Sequence, residues 1–321
     1  MRLRVFTKPR TSSQAKAARE GVFEFDDARG EAGLERIEAL HSRFHGAGDG
    51  RVTVAVAAHA PEAVSPGLLR RLRELSERLD AIATIHLNQS WWEVEAVQRT
   101  RGVLPTEYLF VHDFLWDRLV AGHCRCMDTR EIQLLGRSRA TASFNSAIAA
   151  RRGYSPRVAE LAAAGCNIAM GSDNMAEDMV EVVRTGLFME RVRRQDGCNP
   201  TPEQAFLWAT RNGYRAIGIE DAGWLAPGNK ADLIVIDLRQ AHLVPLLCVV
   251  SCFVHQGQGR DVDAVMVNGR WLMRHGAVLS MDEAAIVEEA DRVGRAAWQR
   301  LLSTRPDLAP PPGMHGIVGK A

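Results

Sequence analysis

An α/β fold of the (β/α) TIM-barrel type is predicted for this chain of 321 residues, on three observations. Short apolar runs rich in β-branched residues alternate five times with segments of helical periodicity. No hairpin signal interrupts the alternation, as a parallel sheet buried on both faces requires. A polar residue closes each run, at the strand end where such barrels build their sites.

The first unit is VTVAVAAHA, ending near His59, with the helix SPGLLRRLRELSERLD started by Pro66. The second is AIATIHLNQ, carrying His86, followed by the helix WWEVEAVQRTR. The third, LVAGHC, ends near His123, and Asp128 then caps DTREIQLLGRSR. The fourth is ATASFN, ending at Asn145, with SPRVAELAAAG closed by Gly165. The fifth is NIAMGSDN, ending at Asp173 and Asn174, before the long helix EDMVEVVRTGLFMERVRRQ. TPEQAFLWATRNGYRAIG reads as one further amphipathic helix, capped by Thr201. The texture then changes to short strands with Gly and Asn-Gly turns, GWLAPGNKADLIVIDL and VDAVMVNGRWLMRHGAVLS, a small all-β element. A last helix, DEAAIVEEADRVGRAAWQRLLS, precedes a Pro-rich tail. The expected division is an N-terminal segment over 1–50, an incomplete barrel portion with five β/α units over 51–220, a small β-sandwich portion over 221–280, and helix plus tail over 281–321. Within the first fifty residues, REGVFEF (Arg19 to Phe25) is the one segment that reads as a strand.

A net charge of +1 gives no support for nucleic-acid or membrane-surface binding. The apolar run Leu243 to Val254 is too short to span a bilayer, and MRLRVFTKPR has no apolar signal core. Six scattered cysteines form no zinc-ribbon pattern and read as free thiols of a cytoplasmic protein. Cys124 and Cys126 bracket one strand step, as packing residues do. His41 and His45 share a helical spacing but lack the Glu of a zincin motif, so a surface helix is expected there.

His86, His123 and Asp173 converge at the barrel mouth on this topology. Two imidazoles and a carboxylate suit zinc or another divalent first-row metal, iron and manganese included. Such a metal lowers the pKa of a bound water and makes it a nucleophile. The bland alternatives stand beside this reading: a buried histidine hydrogen-bonded to a neighbour, and a helix N-cap at Asp173.

The segments IHLNQ, AGHCRCMDTREIQLL, ELAAAGCNIAMGSDN, ATRNGYRAIG, GWLAPGNKADLIVID and VDAVMVNGRWLMRHG occur in this order. Together they resemble the amidohydrolase superfamily, in its cytosine deaminase-like and triazine-chlorohydrolase branch. The resemblance implies a metal-dependent barrel hydrolase with a β-sandwich built from both chain ends, acting on C–N or C–Cl bonds of a small N-heterocyclic or amide-like substrate. It implies His86, His123 and Asp173 as metal ligands, with Asp173 also the proton acceptor. His59 falls near the substrate. As candidate catalytic residues the sequence offers Asp173, Gln89 and His59; as substrate-binding residues it offers Asn88, Asn145, Asn174 and Trp91.

Three departures from the family pattern accompany it. No two of the ten histidines are two residues apart, so the family's His-x-His strand has no counterpart. The usual proton-shuttling glutamate is matched by Gln89, and a carboxamide cannot titrate. Phe144 stands where a substrate-contacting histidine is common. An alternative reading is therefore a catalytically silent remnant, or one half of a split or truncated enzyme whose partner segment supplies His-x-His. Five strands leave open edges, which favours a homo-oligomer or a complementing chain.

Overall fold

The computed structural model describes residues 3–5, 25–174 and 177–310. Its centre is a five-stranded parallel sheet, β3 (Val56–Ala57), β4 (Ala83–Leu87), β5 (Leu119–His123), β6 (Thr141–Phe144) and β7 (Asn167–Met170). Spatial order equals chain order, so each strand returns beside its predecessor through helices, as parallel pairing demands. Before it, β1 (Leu3–Val5) pairs in parallel with β2 (Val52–Val54), and β2 runs past Ala55 into β3. The early strand expected at Arg19 to Phe25 falls, except for Phe25, outside the described residues; Phe25 is not in a strand.

The crossover helices begin where their caps dictate. Ser65 Oγ accepts the N–H of Leu68 ahead of Pro66–Arg78, and Ser90 Oγ accepts that of Glu93 ahead of Trp91–Arg101. Asp128 accepts the Glu131 N–H at 2.8 Å, and the Glu131 side chain reaches back to the Asp128 N–H at 3.1 Å. This reciprocal box starts Thr129–Arg137. Gly165, at φ 113°, ends Val158–Ala164 in the left-handed conformation.

Burial alternates along β4 and β5. Ala83, Ile85, Leu87, Leu119 and Ala121 are buried, whereas Thr84, His86, Val120 and Gly122 are half-buried. The sheet was expected to be buried on both faces, but only one face is fully covered. Leu69, Leu72, Leu109, Leu135 and Leu161 from the crossover helices fill the core on that side. Helix Asp27–Phe44 adds Leu34 and Ile37 to the same core.

The expected helix over TPEQAFLWATRNGYRAIG is instead two, Pro202–Ala209 and Arg211–Ala216, broken at Thr210 (φ −116°, ψ −98°). The Thr210 hydroxyl donates back to the Phe206 carbonyl at 2.8 Å. Beyond the break, Asn212 Nδ2 donates to the Ile168 carbonyl at 2.9 Å, and Asn167 Nδ2 donates to the Asn212 carbonyl at 3.1 Å. The outer edge of β7 is thus met by a helix and an amide, one way that exposed strand edges are blunted.

The C-terminal part is a four-stranded antiparallel sheet of β8 (Leu233–Ile236), β9 (Val262–Val267), β10 (Arg270–Arg274) and β11 (Ala277–Val278). Asn268 and Gly269, at φ 53° and 74°, make the tight β9–β10 turn that the Asn-Gly pair announces. Asp232 ties this sheet to the rest, accepting the Tyr214 hydroxyl at 2.8 Å and the Asn268 N–H at 2.7 Å. Helix Glu283–Thr304 follows, capped by Asp282. No helix among the described residues is long and apolar enough to cross a membrane.

Candidate active site at the strand ends

The C-terminal ends of β3, β4, β5 and β7 bring His59, His86, His123 and Asp173 together. The His86 and His123 rings stack with centroids 5.4 Å apart and planes 11° from parallel. His59 meets His86 edge-on, also at 5.4 Å. His123 Nε2 lies 3.7 Å from Asp173 Oδ2.

Strand alternation alone would not stack these histidines. His86 pairs with Gly122 in the β4–β5 register, so His123 lies one step further along. The backbone resolves the mismatch: His123 has φ 79° and Cys124 φ 51°. A left-handed residue turns the chain out of the strand and redirects its side chain. Asn88 (φ 47°) and Asp173 (φ 56°) show the same conformation just beyond the ends of β4 and β7.

Each histidine is held by its second nitrogen. His86 Nδ1 is 2.6 Å from the His59 carbonyl, which can only accept, so Nδ1 carries the proton and Nε2 has the lone pair. His123 Nδ1 is 3.2 Å from Asn145 Nδ2, and Asn145 Oδ1 accepts the Ser143 hydroxyl at 3.0 Å. In this arrangement the amide donates to His123. Turning the amide over would let Oδ1 accept from Nδ1–H, and Ser143 could then accept, because a hydroxyl does either. Asn145 therefore acts on His123 as an anchor. Asn174 is exposed, and its N–H donates to Asp173 Oδ1 at 2.6 Å.

Asn88, expected at the substrate, is wholly buried. Its Nδ2 donates to the Cys126 carbonyl and both Glu131 oxygens, and its Oδ1 accepts the Thr106 hydroxyl at 2.8 Å. Every polar atom of that side chain points into the fold. Gln89 is half-buried beside it, its N–H donating to Glu93 and its carbonyl accepting Arg125 Nη2 at 2.6 Å. Trp91 and Trp92 stay largely exposed on the first turn of their helix. Phe144 is buried in the core, where a Cβ on Gly186 would come within 3.2 Å of its ring. It packs against helix Met179–Arg194.

Residues not singled out in the sequence support this edge. Glu93 is fully buried and accepts the N–H groups of Asn88 and Gln89, both at 2.8 Å. Burial, then the charge of Glu62, pushes its carboxyl well above the usual range. Burial likewise raises Glu131. Arg125 lies over the Tyr154 ring and is held below its usual pKa, chiefly by burial. The sequence signal for Glu93 and Glu131 was an acid in the first helical turn after a strand end, which reads equally as a cap. Cys124 and Cys126 are buried thiols, that of Cys126 pushed up to about 12 by burial, which fits packing residues. The His41 and His45 rings lie 4.2 Å apart at the end of helix Asp27–Phe44, away from this edge in the fold.

Two imidazoles and a carboxylate are a donor set that suits a divalent metal. Among the described residues, however, no three His, Cys, Asp or Glu side chains are gathered closely enough to hold one. The stacked rings and the 3.7 Å His123–Asp173 approach leave the set assembled in kind but open in spacing.

The model of the amidohydrolase family matches residues 6–272, and the chain belongs to that family. A 5-methylthioadenosine/S-adenosylhomocysteine deaminase from Moorella thermoacetica is 34% identical over 279 residues, covering 85% of this chain and 64% of that protein. A 5'-deoxyadenosine deaminase from Methanothermobacter thermautotrophicus is 34% identical over 81% of this chain and 62% of that one. The chain thus spans a little under two thirds of the length of these relatives. Among solved structures, a zinc-bound adenosine deaminase from Xanthomonas campestris superposes with TM-score 0.78 at 24% identity, over 88% of this chain and 64% of that chain. Atrazine chlorohydrolase from Arthrobacter aurescens, complexed with zinc, superposes with TM-score 0.79 at 19% identity, over 91% and 66%. These two share the fold.

Proposed function

We propose that this chain is a metal-dependent hydrolytic deaminase acting on the exocyclic amine of a small, nucleoside-like N-heterocycle. The observation that carries this reading is the stacked His86–His123 pair with Asp173 beside it, each on its own strand end. The deaminase relatives support the reaction class and substrate size, and the zinc-bound neighbours support zinc over iron or manganese. His86, His123 and Asp173 would hold the metal, which when bound supplies Lewis acidity and an activated water.

The remaining work falls to the chain's own groups. The His59 carbonyl fixes the His86 tautomer with the proton on Nδ1, so that Nε2 would be the ligand atom. Asn145 fixes the His123 ring. Asp173 takes a proton on its carboxylate. Gln89 orients substrate or water through its amide without moving a proton, since a carboxamide has none to give at neutral pH. Asp173 or solvent must therefore protonate the leaving group, and chemistry with a small proton-transfer demand suits the site. A dechlorinating reaction fits the same residues, because chloride leaves without a proton.

The test is metal content and ammonia release together. Purified protein reconstituted with zinc is expected to bind about one equivalent and to release ammonia from 5'-deoxyadenosine or a related nucleoside. His123→Ala should lose both. Failure to retain zinc after reconstitution would overturn this reading and leave the chain silent by itself.

A further inference from the structure

The backbone around Gln89 is held by more bonds than a strand end needs. The N–H groups of Arg125 and Cys126, just beyond β5, both donate to the Asn88 carbonyl, at 3.1 and 2.9 Å. Asn88 Nδ2 returns to the Cys126 carbonyl at 2.9 Å. The ends of β4 and β5 are thereby fastened to each other one residue short of Gln89. Two side chains make the remaining step. Glu93 accepts the Gln89 N–H at 2.8 Å, and Arg125 Nη2 donates to the Gln89 carbonyl at 2.6 Å. The two peptides that flank the Gln89 Cα are thus held by different elements, which fixes the direction in which its side chain leaves the chain. Among the described residues, the hydrogen bonds of Gln89 are made by its backbone and none by its carboxamide.

Arg125 is an unfavourable choice for a residue that only packs. Its guanidinium is half-buried and lies over the Tyr154 ring, 5.2 Å from the centroid. It also donates to the Ile148 carbonyl at 3.4 Å, in helix Ser146–Arg152 beyond β6, and so bridges three successive strand ends. Its partners are carbonyls, and its Nε is buried with no hydrogen-bond partner. A buried donor left unpaired lowers stability. Local rules of this kind are broken where a site needs a particular geometry. A shorter or uncharged side chain would avoid the unpaired donor and lose the Gln89 carbonyl.

We propose that Arg125 is a positioning residue for the deaminase reaction, an inference that rests on the function proposed above: it holds the Gln89 backbone so that the carboxamide meets substrate in one orientation. Arg125 acts through Gln89 and moves no proton. Misplacing an orienting group by about 1 Å can slow a reaction on the order of 100-fold, so one charge-assisted hydrogen bond to the Gln89 carbonyl is enough to matter.

Amide hydrogen exchange and turnover on the full chain test this. In metal-free protein, exchange of the Gln89 N–H should quicken at least about tenfold in Arg125→Met; unchanged exchange overturns the clamp. In zinc-reconstituted protein, Arg125→Met should lower kcat for ammonia release about 10- to 100-fold, with zinc content and KM little changed. In a Gln89→Met background the same substitution should remove at most about twofold more, because the two residues act as a unit. Arg125→Lys keeps the charge without the two-pronged donor and carries the same cycle should Arg125→Met not fold. A wild type that turns over, but whose two losses multiply, overturns the role of Arg125 alone. A wild type that releases no ammonia overturns the deaminase reading instead, and exchange at Gln89 still decides the clamp.

Discussion

His86 and His123 are held by different kinds of partner, and the difference matters for what each can bind. A backbone carbonyl fixes the proton of His86 permanently on Nδ1. A side-chain amide that can present either end leaves His123 adjustable. Replacing Asn145 with Leu removes that anchor while keeping the bulk. On the proposed function it should lower zinc affinity about 10- to 100-fold, as loss of outer-shell partners does, measurable by competition with a chromogenic chelator. Gln89→Glu restores a group that can carry a proton, and ammonia release should rise by about two orders of magnitude or more. Unchanged turnover in that variant would mean that proton transfer does not limit the reaction. At this scale the sequence was informative where a residue ends a strand, as His86, His123 and Asp173 do. It was misleading at Asn88, because a polar residue at a strand end can point outward to substrate or inward to buried acids. A left-handed φ and a partner 43 positions away, Glu131, decide between them.

Between elements, the Asn88–Glu93–Glu131 network joins the end of β4 to two helices through buried carboxylates. Both Glu93 and Glu131 titrate above the ordinary carboxylate range because of burial, against the pull of the N–H groups that they accept. The folded chain thus keeps protons that the unfolded chain has already released. This contribution to stability is complete below the ordinary carboxylate pKa and is lost as pH rises through the elevated values. Each group imposes a slope of at most about 1.4 kcal/mol per pH unit. Urea midpoints measured from about pH 5 to about pH 8 should fall, and Glu131→Gln should flatten the fall. Packing between elements has its own test. A Cβ on Gly136 would sit 2.3 Å from the Ala164 carbonyl oxygen, where backbone cannot yield, whereas on Gly186 the first obstacle is the mobile end of Met170. Gly136→Ala should cost about 1–3 kcal/mol, and Gly186→Ala distinctly less, by chemical denaturation. The helix break at Thr210 was not legible, because the apolar period continues through it. Only the pairing of Asn212 with β7 shows why the chain turns there.

For the whole molecule, the strand–helix rhythm was legible because each crossover is local: a cap residue, an apolar stripe and a strand lie within about thirty residues, as βαβ units require. β1 was not, since three residues carry no periodicity and its pairing with β2 spans about fifty positions. The half-covered inner face also escaped, because apolar runs look alike whether one side or both are filled. A cavity of about 560 Å³, lined by residues such as Val183, Phe206, Trp224 and Phe253, separates the C-terminal sheet from the helices and shares no residue with the histidine site. On the proposed function, zinc at one hundred times its dissociation constant should add about 2.7 kcal/mol to stability. That gain, read as a shift in thermal midpoint, should vanish in His86→Ala. An equal shift in the variant would place the metal elsewhere.

The left-handed backbone at Asn88, His123, Cys124 and Asp173 also limits what this rim can become. Side chains branched at Cβ are disfavoured in that conformation, whereas Asn, Asp and Gly tolerate it. In a saturation library selected for folding alone, Val, Ile and Thr should be depleted at these four positions, with no substrate in the medium. The narrow choice of side chains at these four positions is then a condition of the backbone geometry, whatever reaction the site carries.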